Sequence, residues 1–452
     1  MTLQASPAAP ARIGGSSATS TPSLVLVLVF CAVLFLFPTE VVLAGPLKSN
    51  GAPVRLIGLL ALFLVALGFL VRRRTSAREA TANPIVVVLV LYAAQSVFSY
   101  GLTAGRTLST AQAASALRAL LIVLAACGIA LYMTQSVKTL RHTRLVVGVL
   151  LAGSVLNAAV GLLQAAGASI RWAYVVLVPG MAFTSPPGGL RERDGFIRAI
   201  GTTSHPIEFA VCLAVSLPLA IHLARFAATN NGRVAARFAG LAILAAVPFA
   251  LSRSGLICIL IGLLVYLPFA TVGQRGLMLL GAVVAPALAV TAAPEIVAVI
   301  QRLFGYLSLD GSDDNSITGR LDDYPIIQRV FESSPWLGGN TGITDLILDN
   351  QWLSFLASGG LVAVLAYAMI FVVPIWFCVR SARYRPRSRQ RSSLAGAIAA
   401  GLAASAFSSL TLDSLFFQQS WMLVFVLIAL SSVVRADALD PEDADRAPQH
   451  RR

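Results

Sequence analysis

Lysine is almost absent from this chain. Of 452 residues, thirty-four are basic, and apart from Lys48 and Lys138 all of these are arginine. So lopsided a choice reads as base composition of the coding sequence rather than as chemistry. Charge of either sign is scarce too, at 12% of residues, against 57% apolar and a mean hydropathy of +0.79. No soluble domain of this length is that apolar, which excludes a water-soluble core and leaves a multispan membrane protein. Cysteine is sparse and unpaired. Cys31, Cys127, Cys212, Cys258 and Cys378 all fall inside apolar runs without a CxxC, so neither a disulfide framework nor a zinc site is expected. There is no internal repeat of fixed period. The net charge of +14 does not point to nucleic acid, because the arginines form short clusters between apolar runs, where they set membrane orientation.

What the chain has in abundance is apolar runs. A spanning helix needs roughly 20 apolar residues. Candidates start near Leu24, Val54, Pro84, Ala113, Leu145, Ile207, Phe238, Gly255, Gly276, Trp352, Leu394 and Leu415. This predicts an all-α polytopic membrane protein with about 12 transmembrane helices. Alternate connections are arginine-rich: Arg72 to Arg78, Lys138 to Arg144, Arg225 to Arg237, Arg275 and Arg380 to Arg391. The positive-inside bias then puts both termini in the cytoplasm. Residues 1–22, rich in Ala, Ser and Pro, are expected to be a disordered cytoplasmic segment before an uncleaved anchor, 23–435 the membrane domain, and 436–452 a cytoplasmic tail. The orientation requires a very tight turn between two spans at Ser252 to Gly255. One long helix there would carry the Arg380 cluster outside.

The outer side has two long connections. One runs from about Gly167 to Pro206. The other, residues 294–351 between helices 9 and 10, is a large extracytoplasmic loop in which carboxylates outnumber arginines and Tyr306, Tyr324, Trp336 and Trp352 are interleaved. Carboxylates that accept hydroxyl hydrogen bonds beside aromatic faces suit a carbohydrate, while interfacial aromatics in a solvated loop are the simpler reading. The run Asp310-Gly-Ser-Asp-Asp-Asn lacks the alternating acids of a calcium loop and reads as a turn. No metal site is expected. Three outer arginines lie against the charge bias in short polar motifs: Arg198 in Arg198-Ala-Ile-Gly-Thr-Thr-Ser-His-Pro206, Arg253 in Leu251-Ser-Arg-Ser-Gly255, and Arg320 in Thr318-Gly-Arg-Leu-Asp-Asp-Tyr-Pro325. Cations kept there suggest an anionic ligand handled outside the cytoplasm, although snorkelling explains some of them. His205 is the expected outer histidine, more often structural than catalytic. Asp349 has a simple reading as the cap of the helix that follows. Arg118 has no evident role.

These motifs, in this order and with these loop sizes, resemble the O-antigen ligase/polymerase family of bacterial membrane glycosyltransferases. The resemblance rests on Arg198 to Pro206, Leu251 to Gly255, Gly319 to Pro325 followed by Ser334-Pro-Trp-Leu-Gly-Gly339, and Asp349-Asn350 with Gly359-Gly-Leu361. It implies a GT-C-like fold. It also implies an inverting, metal-independent transferase with no cofactor. The donor would be a saccharide on polyprenyl diphosphate, and the acceptor a glycan or lipid-linked glycan. Membrane lipid, a polysaccharide flippase and a chain-length regulator are the partners that follow, with no nucleic acid. On that footing Arg198 and Arg253 would grip the diphosphate and Arg320 would assist. Fixed guanidiniums stabilise the charge that builds on the leaving oxygen, and losing one such group costs about 2.7–4 kcal/mol of barrier. Asp349 is the favoured base, with Asp322, Asp323 and His205 as rivals. Ligases carry a histidine before the asparagine where this chain has Asp349, which weakens the lipid A ligase reading and favours a polymerase or a ligase that transfers finished glycan to another acceptor. The competing classes are a major-facilitator-type transporter, whose motif Val71-Arg-Arg-Arg-Thr75 does not match, a lipid-linked saccharide flippase and a structural scaffold.

Overall fold

A computed structural model describes residues 21–71, 83–105, 107–168, 170, 173–184, 191–193, 196–276, 278, 325, 327–339, 348–384 and 388–435. Its principal helices are α1 (Thr21–Leu36), α2 (Pro53–Val71), α3 (Pro84–Ala104), α4 (Thr110–Ser136), α5 (Leu140–Ala165), α6 (Pro206–Phe226), α7 (Asn230–Ala246), α8 (Arg253–Tyr266), α9 (Gln351–Tyr384), α10 (Arg389–Ser408) and α11 (Gln418–Arg435). Seven of them, α2 to α7 and α9, are long and apolar enough to cross a membrane, and α1, α8 and α11 are shorter apolar helices. The span expected near Gly276 lies almost wholly outside the described residues.

Most of the helices start where the sequence supplies an acceptor for their first amides. Asn83 caps α3 ahead of Pro84, and Ser109 with Gln112 forms a reciprocal capping box on α4. Thr139, Thr229, Ser252 and Ser388 cap α5, α7, α8 and α10. Helices α7 and α10 begin well before the expected Phe238 and Leu394. Their first two turns carry Arg233, Arg237, Arg389 and Arg391, which lower the hydropathy there. Helix α11 begins later than the expected Leu415, because Leu415 to Phe417 belong to a turn that is apolar without being helical.

In lipid, apolar side chains face outward as well as inward. Phe63, Leu70, Leu91, Leu241 and Val372 stand exposed on the outer helix faces. Helix α10 is the exception. It is rich in Ala, Gly and Ser, is buried along most of its length, and packs against α6, α8, α9 and α11 at the centre of the bundle. Small residues let the backbones approach closely. Helices α2 and α4 cross in the same way at Gly58 and Gly128, where a Cβ would sit 2.6 Å and 2.5 Å from the opposing backbone oxygen.

The connections at one end of the bundle are knitted together. β1 (Val41–Leu43) pairs antiparallel with β2 (Met181–Phe183), Val41 opposite Phe183, and β3 (Arg191–Arg193) pairs with β4 (Phe196–Arg198). The polar stretch after β4 is held from inside the bundle. Gln164 Oε1 accepts from the amides of Ile200 and Gly201 at 2.9 and 2.7 Å, and Asn157 Oδ1 accepts from the amide of Thr202 at 2.8 Å. Gly201 has φ +55°, and a Cβ there would come within 2.0 Å of Asn157 Oδ1. The buried carboxylate of Glu208 closes this network. Oε2 accepts from the amide and the hydroxyl of Ser204, and Oε1 from the amides of Gln419 and Ser420, so one side chain joins α6 to the N-terminus of α11. Gln419 Nε2 in turn donates to the carbonyls of Phe37 and Thr202.

Charge separates along the bundle. Glu40, Glu208, Asp349 and Asp413 belong to this knitted end. The opposite end gathers Lys138, Arg141, Arg144, Arg225, Arg233, Arg275, Arg380, Arg383, Arg389 and Arg391, with Arg144 Nη2 donating to Gln390 across two connections. Replacing Glu208 with Leu leaves three backbone amides without their acceptor, at about 1–3 kcal/mol each when buried. Glu208→Leu is therefore expected to lower the thermal midpoint of the detergent-solubilised protein markedly, with Glu208→Gln losing less. An unchanged midpoint for Glu208→Leu would show that the network does not hold α11.

Candidate functional site

A cavity of about 170 Å³ opens at the knitted end among α2, α4, the start of α9 and the turn before α11. Its wall includes Thr39, Glu40, Ser49, Arg55, Arg118, Ser204, Gln351, Ser354, Phe355, Asp413 and Gln418. The lining joins two cations, two carboxylates and several hydroxyls to the apolar faces of Ile122, Phe355 and Leu415.

Arg55, in the first turn of α2, is only 4% exposed. Its guanidinium donates to the Ser49 carbonyl at 3.1 Å, to Asn50 Oδ1 at 3.0 Å and to Gln418 Oε1 at 2.6 Å. All three partners are neutral. Arg118, from α4, donates to the Ser49 hydroxyl, so two guanidiniums from different helices converge on one residue. Among the described residues, two buried donors in this wall have no partner, Arg55 Nε and Gln418 Nε2.

Asp413 lies in the turn between α10 and α11. That turn is tied to the start of α9 by the Gln351 amide donating to the Ser409 carbonyl at 2.8 Å and the Leu415 amide donating to Gln351 Oε1 at 2.7 Å. Burial, reinforced by the nearby charge of Asp349, pushes the Asp413 carboxyl up to about 7, against a smaller opposing pull from the amides of Leu415 and Phe416. A carboxyl poised there takes up and releases a proton near neutral pH, as general acid–base work requires. Among the described residues, no three His, Cys, Asp or Glu side chains gather into a group able to hold a metal.

The residues singled out in the sequence fall in different places. Arg198 and Arg253 meet at one junction that is not part of the cavity wall. Arg198 Nε donates to the Ala250 carbonyl at 3.0 Å and Nη2 reaches the Leu251 carbonyl at 3.5 Å. Leu251 has φ +48°, a strained value for a branched residue, so Arg198 stabilises a tight left-handed turn. The chain does turn between α7 and α8 there, as the charge pattern requires, and Arg253 is the first residue of α8. His205 caps α6. Its Nδ1 accepts from the Ile207 amide at 3.2 Å, which leaves the ring proton on Nε2, and its ring packs on Phe417. Asn350, not Asp349, caps α9, its Oδ1 accepting from the amides of Trp352 and Leu353. The Asp349 side chain is exposed beside the Asp413 turn. Arg320, Asp322 and Asp323 lie outside the described residues.

The structure also joins two motifs distant in sequence. At Gly360 (φ +61°, ψ −159°) the backbone of α9 breaks, and the Trp336 to Gly339 segment lies against the break. The Gly339 amide donates to the Ala357 carbonyl, and the Leu361 and Val362 amides donate to the carbonyls of Pro335 and Trp336. The loop thus satisfies backbone groups that the break would strand. Sequence reasoning missed Arg55, Asp413 and Glu208 and left Arg118 unassigned. Each is a lone charge beside an apolar run, and its meaning depends on partners far along the chain.

Compared with protein-family models and with curated proteins, the chain matches none.

The Asp413 assignment has a direct spectroscopic consequence. The infrared band of a protonated carboxyl should disappear as pH rises through about 7 and be missing from Asp413→Asn. In Asp349→Asn the same transition should move to lower pH, because the charge that helps hold the proton is gone. A band that titrates at the same pH in wild type and Asp349→Asn would break the coupling.

Proposed function

We propose that the protein is an integral-membrane glycosyltransferase that transfers saccharide from a polyprenyl-diphosphate carrier on the outer face of a bacterial cytoplasmic membrane. On this reading the arginine-rich end is cytoplasmic, the chain crosses the bilayer about twelve times, and the knitted end faces outward. The observation that carries the proposal is the cavity at that end, where a carboxyl that titrates near neutrality shares a wall with two arginines. The motif resemblance to O-antigen ligases and polymerases supplies the substrate class.

The chemistry needs a proton acceptor and fixed positive charge. The acceptor's hydroxyl gives up its proton to a carboxylate, and its oxygen bonds to the anomeric carbon from the face opposite the leaving group. The bond from that carbon to the diphosphate oxygen breaks, and its electron pair stays on the diphosphate. Asp413, with Asp349 beside it, is the base this account favours, because its proton affinity suits the task better than that of a solvated aspartate at about 3.9. Arg198 becomes a positioning residue for the turn that leads into Arg253, and Arg253 and Arg320 remain candidate contacts to phosphate. Polymerisation of lipid-linked repeats is preferred to ligation, since an aspartate stands where ligases carry a histidine. Surface polysaccharide biosynthesis, with a flippase and a chain-length regulator as neighbours, is the corresponding setting.

Deleting the gene and analysing the cell's glycans tests the proposal. Accumulated single lipid-linked repeats are expected for a polymerase, and long lipid-linked chains would assign a ligase instead. Surface glycan and lipid-linked intermediates that both stay normal would end the glycosyltransferase reading. Complementation with Asp413→Asn should restore protein abundance but less than about one-hundredth of the polymer, the loss expected of a general base. Full restoration would remove Asp413 from that role.

A further inference from the structure

Among the described residues, the Arg55 guanidinium in the cavity wall has no carboxylate among its hydrogen-bond partners. Arg55 is buried, its hydrogen-bond partners are all neutral, and among the described residues its Nε has no partner. A buried charge is costly unless paired. Arg118 brings a second guanidinium to the same Ser49, which raises the local positive charge. Gln418 gives its carbonyl oxygen to Arg55 and keeps an amide donor, Nε2, unsatisfied in the same wall. Water alone would satisfy the donors but not the charge. The cavity, at about 170 Å³, is far larger than the roughly 10–15 Å³ that one water requires, so it admits a group of several atoms.

We propose that Arg55, Arg118 and Gln418 form a subsite for a phosphate-class anion. The donors come from three helices, α2, α4 and α11, so they approach from different directions. A phosphate or diphosphate, with several acceptor oxygens around each phosphorus, meets such donors better than a planar carboxylate with two. Glu40 and Asp413 share the wall and disfavour a fully ionised ligand close to them, which places the anion on the Arg55 side. The lipid-borne source of the phosphate rests on the glycosyl-transfer reading, whereas the phosphate chemistry rests on the arginines alone. The placement of Arg55 also explains why the first turn of α2, nominally the start of a membrane span, tolerates a charge. The side chain faces a polar cavity rather than lipid.

The test is binding to the full-length protein in neutral-lipid nanodiscs, with inorganic pyrophosphate, a short-chain polyprenyl diphosphate without sugar, and acetate as probes. Pyrophosphate should bind to wild type and bind at least tenfold more weakly to Arg118→Gln, whose exposed side chain makes misfolding a small risk. Arg55→Lys, which keeps the charge but loses the fork, should weaken binding by a similar factor. Tighter binding of the polyprenyl diphosphate than of pyrophosphate would assign a lipid source, and equal binding a free one, and both support the subsite. No binding of either phosphate probe, acetate binding as tight as pyrophosphate, or undiminished affinity in both variants would overturn it. Phosphate binding that depends on Arg118 in a protein whose deletion leaves glycans normal would keep the subsite and reject glycosyl transfer. Polymer made normally by Arg118→Gln and Arg55→Lys with unaltered binding would do the reverse.

Discussion

The Glu208 carboxylate is the tie on which the knitted end of this bundle depends. Its four accepted hydrogen bonds join the turn before α6 to the first amides of α11. Gln419, placed by that tie, reaches the carbonyls of Phe37 and Thr202, while Asn157 and Gln164 hold the same polar stretch from α5. In a low-dielectric interior each backbone amide held here would be expensive if stranded. The network also fixes the register of α11. Gln418 precedes Gln419 by one residue and is thereby set against Arg55. The cavity is thus a by-product of the same constraint that closes the fold.

Two charge patterns meet at that end. Clustered arginines mark the opposite end, several of them in the opening turns of α7 and α10, and Arg144 also ties two connections together through Gln390. Four arginines of the knitted end have distinct places. Arg198 holds a left-handed turn, Arg55 and Arg118 face the cavity, and Arg253 opens α8. The cavity thus sets fixed positive charge against a carboxyl that burial pushes up to about 7.

The membrane-spanning character, the all-helical class and the tight turn at Leu251 are legible in the sequence because hydropathy and charge bias are local properties. Helix starts are less so. Leu415 to Phe417 look like the beginning of a span, but the true start is marked by two glutamines whose polar atoms are buried in a network that sequence cannot display. The site is harder still. Arg55 gains its meaning from Gln418, which lies 363 positions away. Asp349 reads as a cap until Asn350 is seen to do that work, and its influence on Asp413 arises only when two separate turns pack together. The Arg198 motif is informative for a different reason from the one its sequence suggests, since its guanidinium is bound to carbonyls of the α7–α8 turn.

The most direct measurement is of the carrier itself. Purified protein in vesicles, given a polyprenyl-diphosphate-linked saccharide and an acceptor, should release free polyprenyl diphosphate in step with new glycosidic bonds, and Asp413→Asn should abolish both together. Intact donor moved across the bilayer with no carrier released would contradict the account and describe a transporter instead.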